Sequence, residues 1–166
     1  MQKLSVIFLG PPGVGKGTQS KIISEHFAIP HISTGDILRA ESNAGSPLGR
    51  QVHDILERGD LVPDNLMVEI VKKRLAAEDC SKGYILDGFP RTVFQANVLE
   101  EYSPTALACN LTAEAEALVD RISRRRSCPN CGQVAQSMST GEERCPKCAG
   151  IMVQLARIHI SEPTTR

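Results

Sequence analysis

The sequence predicts an α/β protein in which a parallel sheet core carries a helical insertion and a separate four-cysteine module. Three observations lead to this fold class. An apolar run, Leu4–Leu9, precedes a glycine-rich loop and a helical pattern. Short apolar runs and helical patterns then alternate to about residue 126, and two C-x-x-C pairs follow. The 166 residues are enough for one domain with a real core.

The first element is a strand followed by a phosphate loop. Leu4–Leu9 is apolar throughout most of its length, as a strand buried on both faces requires. Residues 10–18 read GPPGVGKGT, which fits the spacing G-x-x-x-x-G-K. The glycines let backbone N–H groups face an anion, Lys16 reaches the outer phosphates, and a helix from about Gly15 to His26 points its positive end there. Gly17 stands where the general motif has Ser or Thr, so a hydroxyl for magnesium must come from Thr18 or elsewhere.

A helical insertion is predicted next. After a short extended piece, Ser33 or Thr34 can cap a helix that ends before the breaker sequence Gly-Ser-Pro at residues 45–47. Two more amphipathic patterns follow, one ending at Gly59 and one running to Leu75. These helices lie between two predicted strands.

The second half of the core begins with a strand that ends in an acid. Residues 83–91 read GYILDGFPR, and an acid at the carboxyl end of a parallel strand, here Asp87, lies near the phosphate loop. Residues 105–111 form a further strand. A helix after residue 114 is predicted to end in Arg121 and the basic run 124–126, which in isolation favours a solvated helix end.

Composition limits the functional classes. Lys plus Arg and Asp plus Glu number 19 each, so no global field recruits nucleic acid or a membrane surface. The apolar run after Lys3 is too short for a signal peptide or a membrane span. A cytoplasmic protein is therefore expected, and its six cysteines are interpreted as thiols or metal ligands rather than disulfides.

Four of the cysteines have metal-ligand spacing. They form two C-x-x-C pairs, separated by 13 residues: Cys128 with Cys131, and Cys145 with Cys148. Such pairs can close a tetrahedral thiolate site with no open position, so a structural zinc is predicted, with iron as the main alternative. Cys80 and Cys109 are expected to be plain buried or partly buried thiols.

Four motifs in order, at residues 10–18, 33–39, 87–91 and 120–122, make the chain closely similar to the adenylate kinase family over residues 4–154. The resemblance implies a core at residues 1–30 and 62–126, a nucleoside-monophosphate-binding insertion at 31–61 and an incomplete zinc lid at 127–154. It further implies phosphoryl transfer from ATP to AMP with magnesium, giving two ADP for adenine nucleotide homeostasis. A cytoplasmic monomer with no nucleic-acid or membrane partner is expected.

The resemblance also assigns the site residues. ATP is expected to contact Gly13, Val14, Gly15, Lys16, Gly17, Thr18 and Arg121. AMP is expected to contact Thr34, Arg39, Asp60, Leu61, Val62, Gly88, Phe89, Arg91 and Gln95. The catalytic cations are Lys16, Arg91, Arg121 and Arg125, and Asp87 helps to place magnesium.

Residue by residue, simpler interpretations stay open. Thr34 could be only a helix cap, Asp87 a structural partner, and Arg39 and Arg91 surface cations. The family usually has a small residue where this chain has Arg124. The sequence therefore does not decide which arginine of residues 124–126 faces the phosphates.

The resemblance stops after residue 154. Residues 155–166 lack the family's Arg-Asp-Asp, and we expect an unassigned tail on a fragment without the last strand and helices. Two other functions are weighed against an AMP kinase: a UMP or CMP kinase, and an inactive nucleotide-binding or zinc-ribbon fragment. A nucleic-acid-binding ribbon is disfavoured because aromatic residues are few and the only dense basic run is short.

Overall fold

A computed structural model describes residues 3–58, 60–131, 133–136 and 143–154. The chain divides into two compact units, Met1–Thr112 and Ala113–Arg166. The predicted tail at residues 155–166 lies outside the described residues. Within the described part of the chain, no helix is long and apolar enough to cross a membrane.

The first unit contains a four-stranded parallel sheet in the order β2-β3-β1-β4. Its strands are β1 (Leu4–Leu9), β2 (His31–Ser33), β3 (Gly83–Asp87) and β4 (Leu107–Asn110). Asp87 pairs in register with Phe8 of β1 and with Ser33 of β2. The carboxyl ends of these three strands therefore meet at one edge of the sheet, where open α/β sheets bind ligands.

Among its described residues, this unit also has five α-helices and one short 3₁₀-helix. They are α1 (Lys16–Phe27), α2 (Thr34–Asn43), α3 (Pro47–Glu57), α4 (Asp64–Leu75), the 3₁₀-helix Glu78–Cys80, and α5 (Val93–Tyr102). The helix α3 begins as its sequence dictates, with Pro47 in the first turn and the Ser46 hydroxyl accepting a hydrogen bond from the backbone N–H of Gly49. The helix α5 is not among the predicted elements, because its apolar residues do not keep to one face: Val93 and Phe94 are exposed.

At β1 and β3 the sheet is covered on both faces, as the apolar pattern of β1 predicts. Ile7 belongs to a core cluster with residues of α4 and α5, whereas its neighbours Val6 and Phe8 belong to a second cluster against which Ile23 of α1 packs. Alternate residues of a strand point to opposite faces, so the two clusters lie on the two sides of the sheet. A nearly continuous apolar strand is the consequence of that double burial.

The described residues of the second unit form a helix and a small antiparallel sheet. Its elements are α6 (Ala115–Ser123), β5 (Arg125–Ser127), β6 (Val134–Gln136) and β7 (Val153–Gln154), with strand order β6-β5-β7. The prediction that the basic run 124–126 forms the end of a helix is wrong. The helix ends at Ser123, and Arg125 and Arg126 lie in β5, where Arg125 pairs with β6 and Arg126 pairs with both β6 and β7.

The described elements also bear on the domain boundaries. Strand β2 lies in the main sheet, although the predicted insertion starts at residue 31. Helix α6 groups with the second compact unit, although the predicted core runs to residue 126.

Candidate active site

The phosphate loop connects β1 to α1. Gly10 and Gly15 have φ angles of 131° and 106°, in the region that favours glycine. At Gly10 a Cβ atom would lie only 2.3 Å from the carbonyl oxygen of Leu111, so no larger residue fits there. The Lys16 Nζ donates to the carbonyl oxygens of Gly10 at 2.9 Å and Pro11 at 3.0 Å. The Lys16 ammonium group is thus held over the phosphate loop, just before α1.

Asp87 lies beside this loop. A Cβ built at Gly17 would lie 3.3 Å from Asp87 Oδ2, so the carboxylate faces the first turn of α1. The same oxygen is 3.6 Å from Nε2 of His31 in β2. The position of the acid at the end of β3 places it by the phosphate loop, as the sequence predicts.

Thr34, Gly88 and Arg91 form a contact cluster. The buried Thr34 hydroxyl donates to the Gly88 carbonyl at 3.4 Å and accepts from Arg91 Nη2 at 3.3 Å, while Arg91 Nε donates to the same carbonyl at 2.7 Å. Ser33, not Thr34, occupies the N-cap position of α2, and it makes no side-chain cap bond. The helix-cap interpretation of Thr34 is therefore wrong, and its hydroxyl instead links α2 to the segment after β3.

Gln95 extends this cluster into α5. Its Oε1 accepts from the backbone N–H of Arg91 at 2.8 Å, and its Nε2 donates to Oδ1 of Asp64 at 2.7 Å. The other oxygen of Asp64 accepts from the Thr92 hydroxyl at 2.7 Å. Sequence reasoning missed Asp64, because an acid in the first turn of a helix is typically explained by the helix dipole.

The other residues that the sequence predicts to contact AMP lie in different environments. Arg39 pairs with Asp36 on its own helix, and Asp60 pairs with Arg58 at 2.9 Å. The Leu61 side chain is 89% exposed, whereas Val62 packs on the core cluster and Phe89 is buried inside it.

Sequence reasoning also missed an ion pair between α2 and α4, in which Glu41 is buried and Lys73 is half exposed. Lys73 Nζ lies 2.9 Å from both carboxylate oxygens of Glu41, and the Ser46 hydroxyl donates to the same group at 3.0 Å. The hydrogen bond from Lys73 lowers the pKa of Glu41 below the usual 4.5, even though burial opposes that shift. Only the fold brings these residues together, since 32 positions separate them.

The four cysteines of the predicted metal site do converge. The sulfur atoms of Cys128, Cys131, Cys145 and Cys148 all lie within 4.8 Å of one another. Two of the pairs lie at hydrogen-bond distance, Cys128 with Cys148 at 3.3 Å and Cys131 with Cys145 at 3.5 Å. Around an ion with metal–sulfur distances of about 2.3 Å, tetrahedral ligands stand roughly 3.8 Å apart. The cluster therefore fits a tetrahedral metal ion. Outside it, Cys80 is buried and Cys109 half-buried.

The thiols of this cluster differ in acidity. Burial alone would raise the pKa of Cys128, but hydrogen bonds from the Cys131 backbone and from Cys148 outweigh it and lower that pKa to about 7. For Cys148 the Gly150 N–H lowers the pKa, yet hydrogen bonding with Cys128 and Cys131 raises it to about 12. With a pKa of about 12 the Cys148 thiol stays protonated near pH 7 in the absence of a cation, and a bound divalent ion removes that restriction.

The arginines of the second unit have different partners. Arg124 pairs with Asp120 at 2.7 Å, and Arg126 Nη1 donates to the carbonyl oxygens of Ser123 and Arg125. The Nε of Arg125 is buried and finds no hydrogen-bond partner within the part of the chain that the structure describes. Of the three, Arg125 is the arginine with an unsatisfied buried donor.

Comparison with known proteins gives a consistent result. The family model described as adenylate kinase matches residues 8–158. Adenylate kinases of Thermodesulfovibrio yellowstonii and Thermosipho melanesiensis are each 46% identical over 159 residues, which cover 91% of this chain and 74% of theirs. The adenylate kinase of Archaeoglobus fulgidus is 44% identical over 91% of this chain and 73% of its own length.

Proposed function

This chain belongs to the adenylate kinase family, and from that premise we propose that it transfers the terminal phosphoryl group of ATP to AMP, giving two ADP. The observation that carries the proposal is the arrangement at the carboxyl edge of the sheet. There Lys16 is held over a glycine-rich loop, and Asp87 faces the first turn of the helix that follows. The reaction maintains the balance of the adenine nucleotides.

The protein contributes charge and position to this reaction. In-line phosphoryl transfer needs the phosphate oxygens neutralised and aligned, with little covalent help from the enzyme. We assign that work to Lys16, Arg91, Arg121 and Arg125, with the backbone of residues 13–18 cradling the ATP phosphates. The resemblance supplies these assignments, and the contacts of Lys16 support the first of them.

Among the three neighbouring arginines we choose Arg125. An unsatisfied donor in a buried position is costly, so a ligand that accepts from it recovers that free energy. Arg124 and Arg126 already have partners in Asp120 and in backbone carbonyls. Strand geometry also sends Arg125 and Arg126 to opposite faces of β5, so one face cannot use both.

For the magnesium ion we propose Asp87, with Thr18 as the nearest hydroxyl in the loop sequence. A carboxylate beside a phosphate loop is the oxygen ligand that magnesium prefers, directly or through water. When bound, the ion neutralises charge on the phosphates. The protein's part is to hold the Asp87 carboxylate at the end of β3.

The AMP site is proposed at Thr34, Gly88, Arg91 and Gln95, whose mutual contacts support a single site. Arg39, Asp60, Leu61 and Val62 join it by resemblance, and the exposed Leu61 has apolar area to offer a base. Because the Phe89 side chain is buried in the core, we assign its contribution to its backbone.

For the second unit we propose a structural zinc site that organises a lid at residues 127–154. The convergence of four sulfurs supports a closed four-ligand site, and zinc is the common occupant of such cages. Iron is the competing ion, and metal analysis of the purified protein distinguishes them. We further propose that the protein is a cytoplasmic monomer with ATP and AMP as its partners.

The decisive experiment measures ADP formation from ATP and AMP with magnesium. We expect turnover in the wild-type chain, and a fall of about a thousandfold or more in Lys16→Ala, because a phosphate-binding cation is lost. AMP, UMP and CMP are compared as acceptors in the same assay. Equal turnover in Lys16→Ala, or preference for a pyrimidine acceptor, would contradict the proposal.

A further inference from the structure

We propose that Asp64 is a specificity-determining positioning residue, which fixes the amide of Gln95 so that the acceptor site selects a 6-aminopurine over a 6-oxopurine. The inference rests on the proposed function, because it takes Gln95 as part of the AMP site. Asp64 acts through Gln95 and is not assigned a contact with the substrate.

The contacts of Gln95 place its amide between two polar groups of opposite kind. On one side Nε2 donates to Asp64 Oδ1 at 2.7 Å, and on the other Oε1 accepts from the backbone N–H of Arg91 at 2.8 Å. Gln95 is only 4% exposed, so water is not a ready substitute for either partner. Asp64 is itself held, because its second oxygen accepts from the Thr92 hydroxyl.

Only one amide orientation satisfies both neighbours. A carboxylate can only accept hydrogen bonds and a backbone N–H can only donate them. The reversed amide would set its oxygen against the Asp64 carboxylate and its NH₂ group against the Arg91 N–H. Both contacts would be lost in a buried position, and each would be replaced by a repulsive one. Asp64 and the Arg91 N–H therefore fix the two ends of the amide together, and Asp64 supplies the charged half of that restraint.

The fixed amide still has capacity to bind a ligand. A primary amide has two N–H groups and an oxygen with two lone pairs. Within the described part of the chain, the side-chain amide uses one N–H on Asp64 and one lone pair on Arg91. One donor and one acceptor remain, and Asp64 and the Arg91 N–H set which end of the amide carries each.

This order distinguishes the pairing edges of purines. Adenine presents an acceptor at N1 beside a donor at its 6-amino group, which complements an adjacent N–H and C=O. Hypoxanthine presents the reverse, a donor at N1 beside an acceptor at O6, in the same places. If the amide cannot reverse its orientation, the N1–H of the 6-oxopurine faces the amide N–H, and O6 faces the amide oxygen. Sites with fixed polar groups reject such analogues strongly, because buried groups are left unpaired.

The test compares AMP with IMP as acceptors at saturating ATP and magnesium. The two nucleotides differ only at the N1 and C6 positions of the base. We expect the wild-type chain to favour AMP by about a hundredfold or more in kcat/KM. We expect Asp64→Asn to lower that ratio by about tenfold or more, equal to ~1.4 kcal/mol. Asn can donate as well as accept, so position 64 no longer opposes the reversed amide of Gln95, and only the Arg91 N–H still does. The KM for ATP should change little.

Thr92→Val is the matched control. It removes the other hydrogen bond to the same carboxylate, and the cap of α5, but leaves the Asp64 contact with Gln95. A merely structural role of Asp64 would make the two variants alike, whereas our proposal predicts that Thr92→Val keeps the wild-type ratio.

Several outcomes would overturn the proposal. It fails if Asp64→Asn leaves the AMP to IMP ratio unchanged, or if Thr92→Val lowers it equally. It also fails if the wild-type chain uses IMP within about tenfold of AMP, a result that needs no variant to fold. Absence of AMP turnover in the wild type would instead refute the proposed function, so the two failures are distinguishable.

Discussion

Replacing Gly88 with alanine tests whether Thr34 and Arg91 form the AMP site. Gly88 has a φ angle of 86°, and a Cβ atom there would lie 2.6 Å from Thr34 Oγ1 and 3.2 Å from Arg91 Nη2. A single methyl group therefore enters the gap between the two groups. The Thr34 and Arg91 side chains themselves are not mutated.

The expected loss of kcat/KM follows from the distances at the Gly88 Cβ position. Ordinary contact begins near 3.4 Å, so the Thr34 hydroxyl must retreat by the difference from 2.6 Å, which is about 0.8 Å. Misplacement of a binding group by about 1 Å costs up to about a hundredfold, so we expect kcat/KM for AMP to fall by roughly 10- to 100-fold. Alanine at positive φ also costs about 1–2 kcal/mol of stability.

Gly45→Ala is the matched control for the backbone strain. Gly45 has a φ angle of 66°, and a Cβ atom there has nothing within 4 Å. Both variants should lose similar stability in urea unfolding, but only Gly88→Ala should lose activity toward AMP, with the KM for ATP nearly unchanged. If both variants show the same kcat/KM for AMP, the contact cluster is not the acceptor site and the reasoning is refuted.

Three further predictions concern other parts of the chain. Lys73→Met should destabilise the protein by about 1–3 kcal/mol at pH 7 in urea unfolding, since Glu41 is buried while Lys73 is half exposed. Because Lys73 lowers the pKa of Glu41, this difference is fully present above the usual pKa of 4.5 and shrinks as pH falls through the lowered value; a pH-independent difference would contradict it. Chelation of the metal should open residues 128–148 to protease while the first unit stays resistant, and an unchanged cleavage pattern would count against a structural ion. Arg125→Ala should lower kcat by about a hundredfold or more, and Arg126→Ala much less, in the ADP assay; equal losses would refute our choice of arginine.

The sequence predicts the strands of the main sheet best where burial decides the pattern. Leu4–Leu9 and Gly83–Asp87 are apolar over most of their length because helices cover both faces of the sheet, and no amphipathic strand could take their place. The phosphate loop is equally predictable, since its glycines meet a local requirement of the backbone. Gly10 has a φ angle of 131°, which favours glycine on local grounds alone, and the Leu111 carbonyl adds a tertiary reason, because a Cβ atom would lie 2.3 Å from it.

Elements whose formation depends on residues far away in the sequence cannot be predicted from local sequence patterns. Arg125–Ser127 is a strand of three residues with no apolar alternation, and it exists because β6 and β7 pair with it on both sides. The roles of Asp64 and Glu41 likewise arise from contacts with residues about 30 positions away. Local propensity gives a charged helix surface for both, and only the fold shows that each carboxylate is bound.

The departure at Gly17 is where sequence and structure complement each other. The general phosphate-loop motif has a hydroxyl residue at this position, and sequence alone leaves the replacement ligand for magnesium open. A Cβ at this position would already lie 3.3 Å from Asp87 Oδ2, closer than ordinary contact, and a hydroxyl would add a further atom. The glycine and the carboxylate therefore belong together: the space that a Ser or Thr side chain would fill is taken by the acid at the end of β3. The Asp87 carboxylate thus stands where the motif's Ser or Thr hydroxyl would be, and this supports the proposal that Asp87 places the magnesium ion.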